Sequence, residues 1–213
     1  MRVFAMSRRA FLFSFLLCVL AVPCFGQDTY KQECDRLAQL LKWKRGITVA
    51  EIGAGSGKMT LLAARRIGPA GKVYATEIDP KAVAQLQQLS AGAPNIAAVQ
   101  ASGDSTNLPP GSCDSIYMRL VYHHLTRPVE TDRSLFQALK PGGRLAVIDE
   151  NPYPGTKVPD GVPPNRGGHG IPQQILIEEL TAAGFKVEKI DNSWPARDAY
   201  HDIYGVICRK PKS

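Results

Sequence analysis

The chain reads as an α/β protein built on a mostly parallel, doubly wound sheet with helices on both faces. Three observations predict it. Short apolar runs alternate with helical patterns between residues 47 and 190, as strands joined by crossover helices do. The first run, Val49-Ala-Glu-Ile52, ends in glycines at 53, 55 and 57. Polar residues then collect where later runs stop, at the carboxyl edge where such sheets bind ligands.

The elements follow in order. Asp28 to Lys44 carries Leu37, Leu40, Leu41 and Trp43 among charges, an amphipathic helix that Gly46 stops. Strand one leads through the glycine triplet into a helix over Met59–Ile67, and the turn Gly68-Pro-Ala-Gly71 precedes strand two, Lys72–Glu77. Pro80 opens a helix to Leu89, since proline is tolerated in a first turn. Strand three is Ile96–Ala101, and strand four is Asp114–Leu120 with Ile116, Met118 and Leu120 on one face. A helix over Val129–Leu139 and a strand over Arg144–Ile148 follow. After an irregular stretch, Pro172 opens a helix over Gln173–Ala183 that Gly184 ends, with strands at Phe185–Ile190 and Ile203–Cys208.

Gly53, Gly55 and Gly57 remove side chains where the backbone must turn and where a ligand could lie against it. The bland alternative is a plain strand-to-helix turn. The dinucleotide fingerprint G-x-G-x-x-G would place glycine at 58, where the chain has Lys58. Glu51 would attract an ammonium and repel a phosphate. Glu77, 20 residues past Gly57, ends strand two and could accept bonds from both ribose hydroxyls. Asp104, in the polar segment Ser102-Gly-Asp-Ser-Thr-Asn-Leu-Pro109, could take the amine of adenine. Together they describe a nucleoside that carries an amino acid.

In motif order and spacing the sequence resembles the class I S-adenosylmethionine-dependent methyltransferases, clearly from Gly46 to Glu150 and more loosely from Ile171 to Arg209. Glu51 and the glycine triplet match the acid and glycines after strand one, and Glu77 matches the ribose-binding acid. Asp104 with Ser105 matches the adenine segment, and Leu139-Lys-Pro-Gly-Gly143 matches the turn before strand five. The resemblance implies a seven-stranded Rossmann-like sheet whose last strand is antiparallel and inserted beside strand five. It also implies S-adenosyl-L-methionine as cofactor, held by Glu51, Gly53, Ala54, Gly55 and Gly57, by Glu77 and Ile78, and by Asp104, Ser105 and Arg119.

Chemistry is then sought after strands four and five. Tyr122, His123 and His124 follow the first, and Asp149, Glu150 and Tyr153 follow the second. A histidine could take a proton from a hydroxyl or amine nucleophile, and His123 is the better candidate because His124 matches a histidine common in the family that closes the turn. Asp149 or Glu150 could do the same or hold a cationic substrate. Residues 151–170 hold five prolines and five glycines, and irregular loops of such length are often functional. Arg166 and His169 are their polar handles toward the substrate, against a bland reading as a surface insertion. The expected reaction is in-line displacement at the sulfonium methyl, with the protein mainly aligning the reactants. The expected partner is a small molecule, or a side chain. An exported protein that binds the cofactor without turnover is the alternative; an NAD-dependent oxidoreductase is disfavoured by Lys58, and an aminopropyl transferase by the lack of an acid-rich pocket.

Length and composition bound these readings. The 213 residues, 44% hydrophobic and 21% charged, suit one domain with a full core, over residues 27–213. Arg2, Arg8 and Arg9 precede an apolar run from Ala10 to Val22, and Cys24 and Gly26 offer small residues for cleavage, so residues 1–26 read as an export signal. That run is too short to span a bilayer, and no stable span is expected once the signal is removed. Ser7-Arg-Arg-Ala-Phe-Leu12 also resembles the twin-arginine export motif, with ordinary secretion as the alternative; either route leads to the bacterial periplasm or beyond. Removing the three signal arginines lowers the formal charge from +7 to +4, which with no basic run argues against a nucleic-acid partner. Cys34, Cys113 and Cys208 show neither a disulfide framework nor a zinc pattern, and no metal ligand is expected. Nothing in the sequence sets an oligomeric state.

Overall fold

A computed structural model describes residues 25–195 and 202–212. It holds five helices, α1 (Phe25–Leu40), α2 (Lys58–Ile67), α3 (Pro80–Ala91), α4 (Pro128–Ala138) and α5 (Gln173–Ala182). The strands are β1 (Thr48–Ile52), β2 (Lys72–Glu77), β3 (Ile96–Gln100), β4 (Cys113–Arg119), β5 (Leu139–Glu150), β6 (Lys186–Asp191) and β7 (Ile203–Arg209).

One sheet runs β3-β2-β1-β4-β5-β7-β6. The pairs from β3 to β5 are parallel, while β7 pairs antiparallel with both β5 and β6. The expected doubly wound sheet, with its reversed strand inserted beside strand five, is therefore present. The stretch from Leu139 to Gly143 falls within β5, since Leu139 pairs with Cys113, but the pairing then jumps to Ser115 with Arg144 and Gly142 takes φ +79°, so the expected turn is present as an irregularity at the start of the strand.

Alternation along the strands sorts side chains to two faces. Val49, Tyr117 and Ala146 pack with α1 and α2 through Leu37, Ala63 and Ile67. Ala50, Met118 and Val147 pack with α4 and α5 through Leu135, Leu176 and Leu180. Helix α1 is tied across the fold by two charged contacts. Arg36 donates to Asp191 of β6 at 2.6 and 2.8 Å, and Glu33, only 2% exposed, pairs with Arg119 at the end of β4. Cys34, Cys113 and Cys208 are buried free thiols; burial pushes Cys34 and Cys208 up to about 12, which keeps them unreactive.

The strand order reverses between β1 and β4, so the loops after these two strands part and open a crevice at their carboxyl ends.

Candidate active site

That crevice holds a cavity of about 500 Å³, well within the roughly 300–1,000 Å³ usual for small-molecule sites. Gly53 forms its floor. Its φ is +69°, and a Cβ there would lie 2.5 Å from Val121 Cγ2, so the loops after β1 and β4 touch only because residue 53 has no side chain. At Gly55, with φ +53°, a Cβ would meet nothing within 4 Å; it would project into open space where a ligand can lie against the backbone.

Glu77, Ile78, Ser102, Gly103 and Ser105 line one end of the cavity. The Glu77 carboxylate accepts the backbone N–H of Gly55 at 2.6 Å and that of Ile78 at 3.1 Å. Asp104 is not part of the wall. It accepts the Ser102 hydroxyl at 2.7 Å and stands 3.6 Å from Arg127, at the rim.

Three residues expected at the ligand lie elsewhere. Glu51 is 4% exposed and accepts the hydroxyl of Thr60 beneath the glycine turn; burial raises its carboxyl to about 7. Arg119 turns away to Glu33, its guanidinium 5.2 Å from the Tyr30 ring centre. Tyr122, expected on the substrate side, is fully buried and donates to Asp132 at 2.7 Å.

Arg166, also expected on the substrate side, joins that buried group. It is 0% exposed and forms a two-point pair with Glu179 of α5 at 2.8 and 3.0 Å. Burial pushes the neighbouring Asp132 carboxyl up to about 7, against the lowering effect of the Tyr122 hydroxyl. The segment 151–170 is thereby pinned, with Arg166 as its anchor. Its ends also meet: the Ile171 N–H donates to the Glu150 carbonyl at 2.9 Å, and a Cβ on Gly170 would lie 2.8 Å from Pro152 Cα.

The other end of the cavity is formed by the chain leaving β4. Leu120 takes φ +55° and donates its N–H to Ile148, turning the chain into a single 3-10 turn over Tyr122–His124. This turn sends His123 inward and His124 to the cavity wall. His123 is 1% exposed, and its Nδ1 lies 2.6 Å from Asp149 Oδ1. Asp149 is itself fixed by the backbone N–H groups of His123 at 3.1 Å and Glu150 at 2.9 Å. An ionised Asp149 accepts the Nδ1 proton and leaves the His123 lone pair on Nε2, which is buried with no hydrogen-bond partner. His169 comes from the pinned segment to within 4.6 Å of the His123 ring centre and 5.2 Å of His124. Its Nδ1 is 3.5 Å from Glu150, which also accepts the Tyr153 hydroxyl at 2.9 Å. Burial, with the neighbouring imidazoles His123 and His169, holds the pKa of His124 below the ordinary value. The meeting of three histidines was invisible in their spacing, because His169 is 45 residues from His124.

Residues 50–147 match the family model described as a methyltransferase domain. Over 110 residues the chain is 30% identical to the ubiquinone/menaquinone biosynthesis C-methyltransferase UbiE of Salmonella arizonae, a match covering 50% of this chain and 43% of that one. The chain thus spans less than half the length of that curated relative. Among solved structures it is similar to a SAM-dependent methyltransferase from Aquifex aeolicus, at 22% identity and TM-score 0.63, covering 86% of this chain and 97% of the other. It is also similar to a protein of Bordetella parapertussis described as a possible exported protein, at 20% identity and TM-score 0.65, covering 87% and 68%. The two structural likenesses bear on the fold, which this chain shares with those proteins.

Proposed function

We propose that this chain is an S-adenosylmethionine-dependent methyltransferase that moves a methyl group to a small-molecule acceptor by in-line displacement. One observation carries the reading: within the matched methyltransferase region, a single cavity runs from a ribose-type carboxylate, Glu77, to an imidazole wall at His124. The cradle suits the cofactor, since Gly55 leaves the backbone uncovered by a side chain beside the fixed Glu77 carboxylate. When bound, S-adenosylmethionine supplies an electrophilic methyl on a positively charged sulfur.

The chain's own residues then have distinct tasks. Glu77 would accept the ribose hydroxyls, and the wall at Ser102 and Gly103 would meet the base. Val121, Leu125 and Thr126 also line the cavity, and their apolar groups would help to exclude water from the line of attack. Holding both reactants in near-attack geometry contributes ~7–11 kcal/mol in favourable cases. The imidazoles at this end can receive the acceptor's proton: His124 stands on the cavity wall, and His123, buried against it with ring centres 4.0 Å apart, has its Nε2 lone pair set by Asp149.

Export is part of the proposal, with residues 1–26 as the signal and 27–213 as one domain. Residues 1–24 lie outside the described residues. Support comes from the basic and apolar order of that segment.

The test is direct. The purified protein, incubated with methyl-labelled cofactor and a small-molecule extract, should pass label to a discrete product. Replacing His123 by Ala should cut that transfer by ~10²–10⁴ if it accepts the proton, with affinity for S-adenosylhomocysteine nearly unchanged. Cofactor binding without label transfer would instead identify a protein that holds the cofactor.

A further inference from the structure

Proton acceptance needs one imidazole, yet three converge here. One ring nitrogen from each of His123, His124 and His169 lies within 4.8 Å of the other two. The rings come from two separate segments and are buried, exposed and half-buried in turn. Within the described residues, this is the one group of three or more histidine, cysteine or acidic side chains close enough to share an ion.

A second observation points into the cluster. His123 Nε2 is buried and unpartnered, while Asp149 holds the opposite nitrogen at 2.6 Å. A carboxylate behind an imidazole fixes its tautomer and raises its basicity as a ligand. Glu150 stands 3.5 Å behind His169 in a similar way. The segment bearing His169 is held by the buried Arg166 pair and the tight crossing of Gly170 over Asn151, so the third ring is placed by structure well away from its own neighbours in sequence.

We propose that His123, His124 and His169 form a three-histidine site for a divalent transition metal of the zinc class, with a coordination position open toward the cavity. An all-imidazole donor set suits zinc and its neighbours, whereas magnesium and calcium take oxygen ligands. Three protein ligands with a free fourth position are the arrangement of reactive zinc sites, distinct from closed structural ones. Zinc–nitrogen bonds of ~2.0–2.1 Å in a tetrahedron bring ligand nitrogens to about 3.3 Å apart. From separations within 4.8 Å, the exposed His124 and half-buried His169 can close that distance while Asp149 holds His123 still.

Because His124, one of the three ligands, also lines the cavity, the site adjoins the end where the acceptor would sit. This names an acceptor class, and that half of the proposal rests on the methyltransferase reading: a hydroxyl or thiol able to coordinate as its anion. On coordination its proton would pass to solvent. Its lone pair would then form the new O–CH₃ or S–CH₃ bond as the sulfonium S–CH₃ bond breaks, the bonding pair staying on sulfur to give the neutral thioether. The His123 lone pair is then spent on the metal, which takes over the task of stabilising the acceptor anion.

The experiment uses the untagged full chain, stripped with chelator and titrated with zinc by calorimetry, with cobalt absorption as a report on geometry. One equivalent should bind, with a tetrahedral cobalt spectrum. His169→Gln, on the loop and half-buried, should lose at least tenfold in zinc affinity, and Asp149→Asn should lose ~10–100-fold by releasing the ring behind the ligand. Thermal unfolding verifies that each variant is folded; if Asp149→Asn is not, His169→Gln decides alone. Absence of stoichiometric binding, or equal affinity in folded His169→Gln, would overturn the site. S-adenosylhomocysteine is titrated in parallel. Its binding without zinc binding removes the metal site and leaves the methyltransferase reading intact, whereas zinc binding without it supports the site and removes the acceptor assignment.

Discussion

The backbone N–H of Gly55 donates to the Glu77 carboxylate at 2.6 Å, joining the turn after β1 to the end of β2. With Ile78 on its second oxygen at 3.1 Å, this carboxylate is oriented before any ligand arrives. Hydrogen bonds to a charged acceptor contribute about 1.5–3 kcal/mol each. Glu77→Ala should therefore weaken S-adenosylhomocysteine binding at least tenfold by calorimetry, and Glu77→Gln should weaken it less. Equal affinity in Glu77→Ala would place the ribose elsewhere.

Gly53→Ala combines a left-handed φ with a Cβ 2.5 Å from Val121 Cγ2. Overpacking alone costs about 1–3 kcal/mol, so the variant should unfold at lower denaturant with an unchanged slope. Adding Val121→Ala removes the two closest contacts, leaving Cβ to Cβ at 3.3 Å, and keeps the backbone strain. The double variant should recover part of the loss, and a purely additive result would show that the two loops do not press on each other.

Glu51 and Asp132 each have a carboxyl that burial raises to about 7. Both groups favour the protonated folded state, so their contribution is complete below the unfolded value near 4 and is lost as pH rises through 7. At about 1.4 kcal/mol per pKa unit, each contributes on the order of 3 kcal/mol to the difference between pH 4 and pH 8. Glu51→Gln keeps an acceptor for Thr60 and removes the titration. Its stability should decline less over this range than that of the parent, as measured by denaturant titration at each pH.

Removing Arg166 leaves Glu179 uncompensated beside Asp132. Losing one partner of a buried pair costs about 3–5 kcal/mol, and the 19% exposure of Glu179 puts Arg166→Met near the lower figure. Residues 151–170 should then become sensitive to brief proteolysis while the sheet stays intact. A variant as resistant as the parent would show that the Gly170 crossing holds the segment unaided.

Replacing Arg8 and Arg9 by lysine keeps the amino-terminal charge. Twin-arginine export should stop, and general secretion should continue. Amino-terminal sequencing of exported protein from the native host should begin near Gln27, whereas intact cytoplasmic protein would contradict the signal.

Backbone placement was legible in the sequence where periodicity and punctuation agree. Gly53, Gly55 and Gly57 mark the turn, and Glu77 falls at the strand end that their spacing implies. Side-chain direction was less legible. Glu51, Tyr122 and Arg166 look like ligand contacts because polar groups near a strand end usually face solvent. Here Thr60, Asp132 and Glu179 satisfy them inside the protein. Polarity alone carries no record of a partner distant in the chain. His169 hides for the same reason: its meeting with His123 depends on how Arg166 and Gly170 fold the intervening loop, which neither strand nor helix periodicity encodes.

The return of residue 171 to residue 150, sealed by a 2.9 Å hydrogen bond, makes the intervening segment a closed excursion from a single point. Doubling the length of such a loop adds only about 0.6 kcal/mol of closure entropy, and its insertion point lies beyond the β1–β4 crevice that holds Gly53 and Glu77. Between those ends the length of the segment can therefore change without shifting the register of the sheet, provided the Arg166–Glu179 pair that pins it is kept. Such a change would alter the surroundings of the histidines and leave the contact between Gly55 and Glu77 as it is.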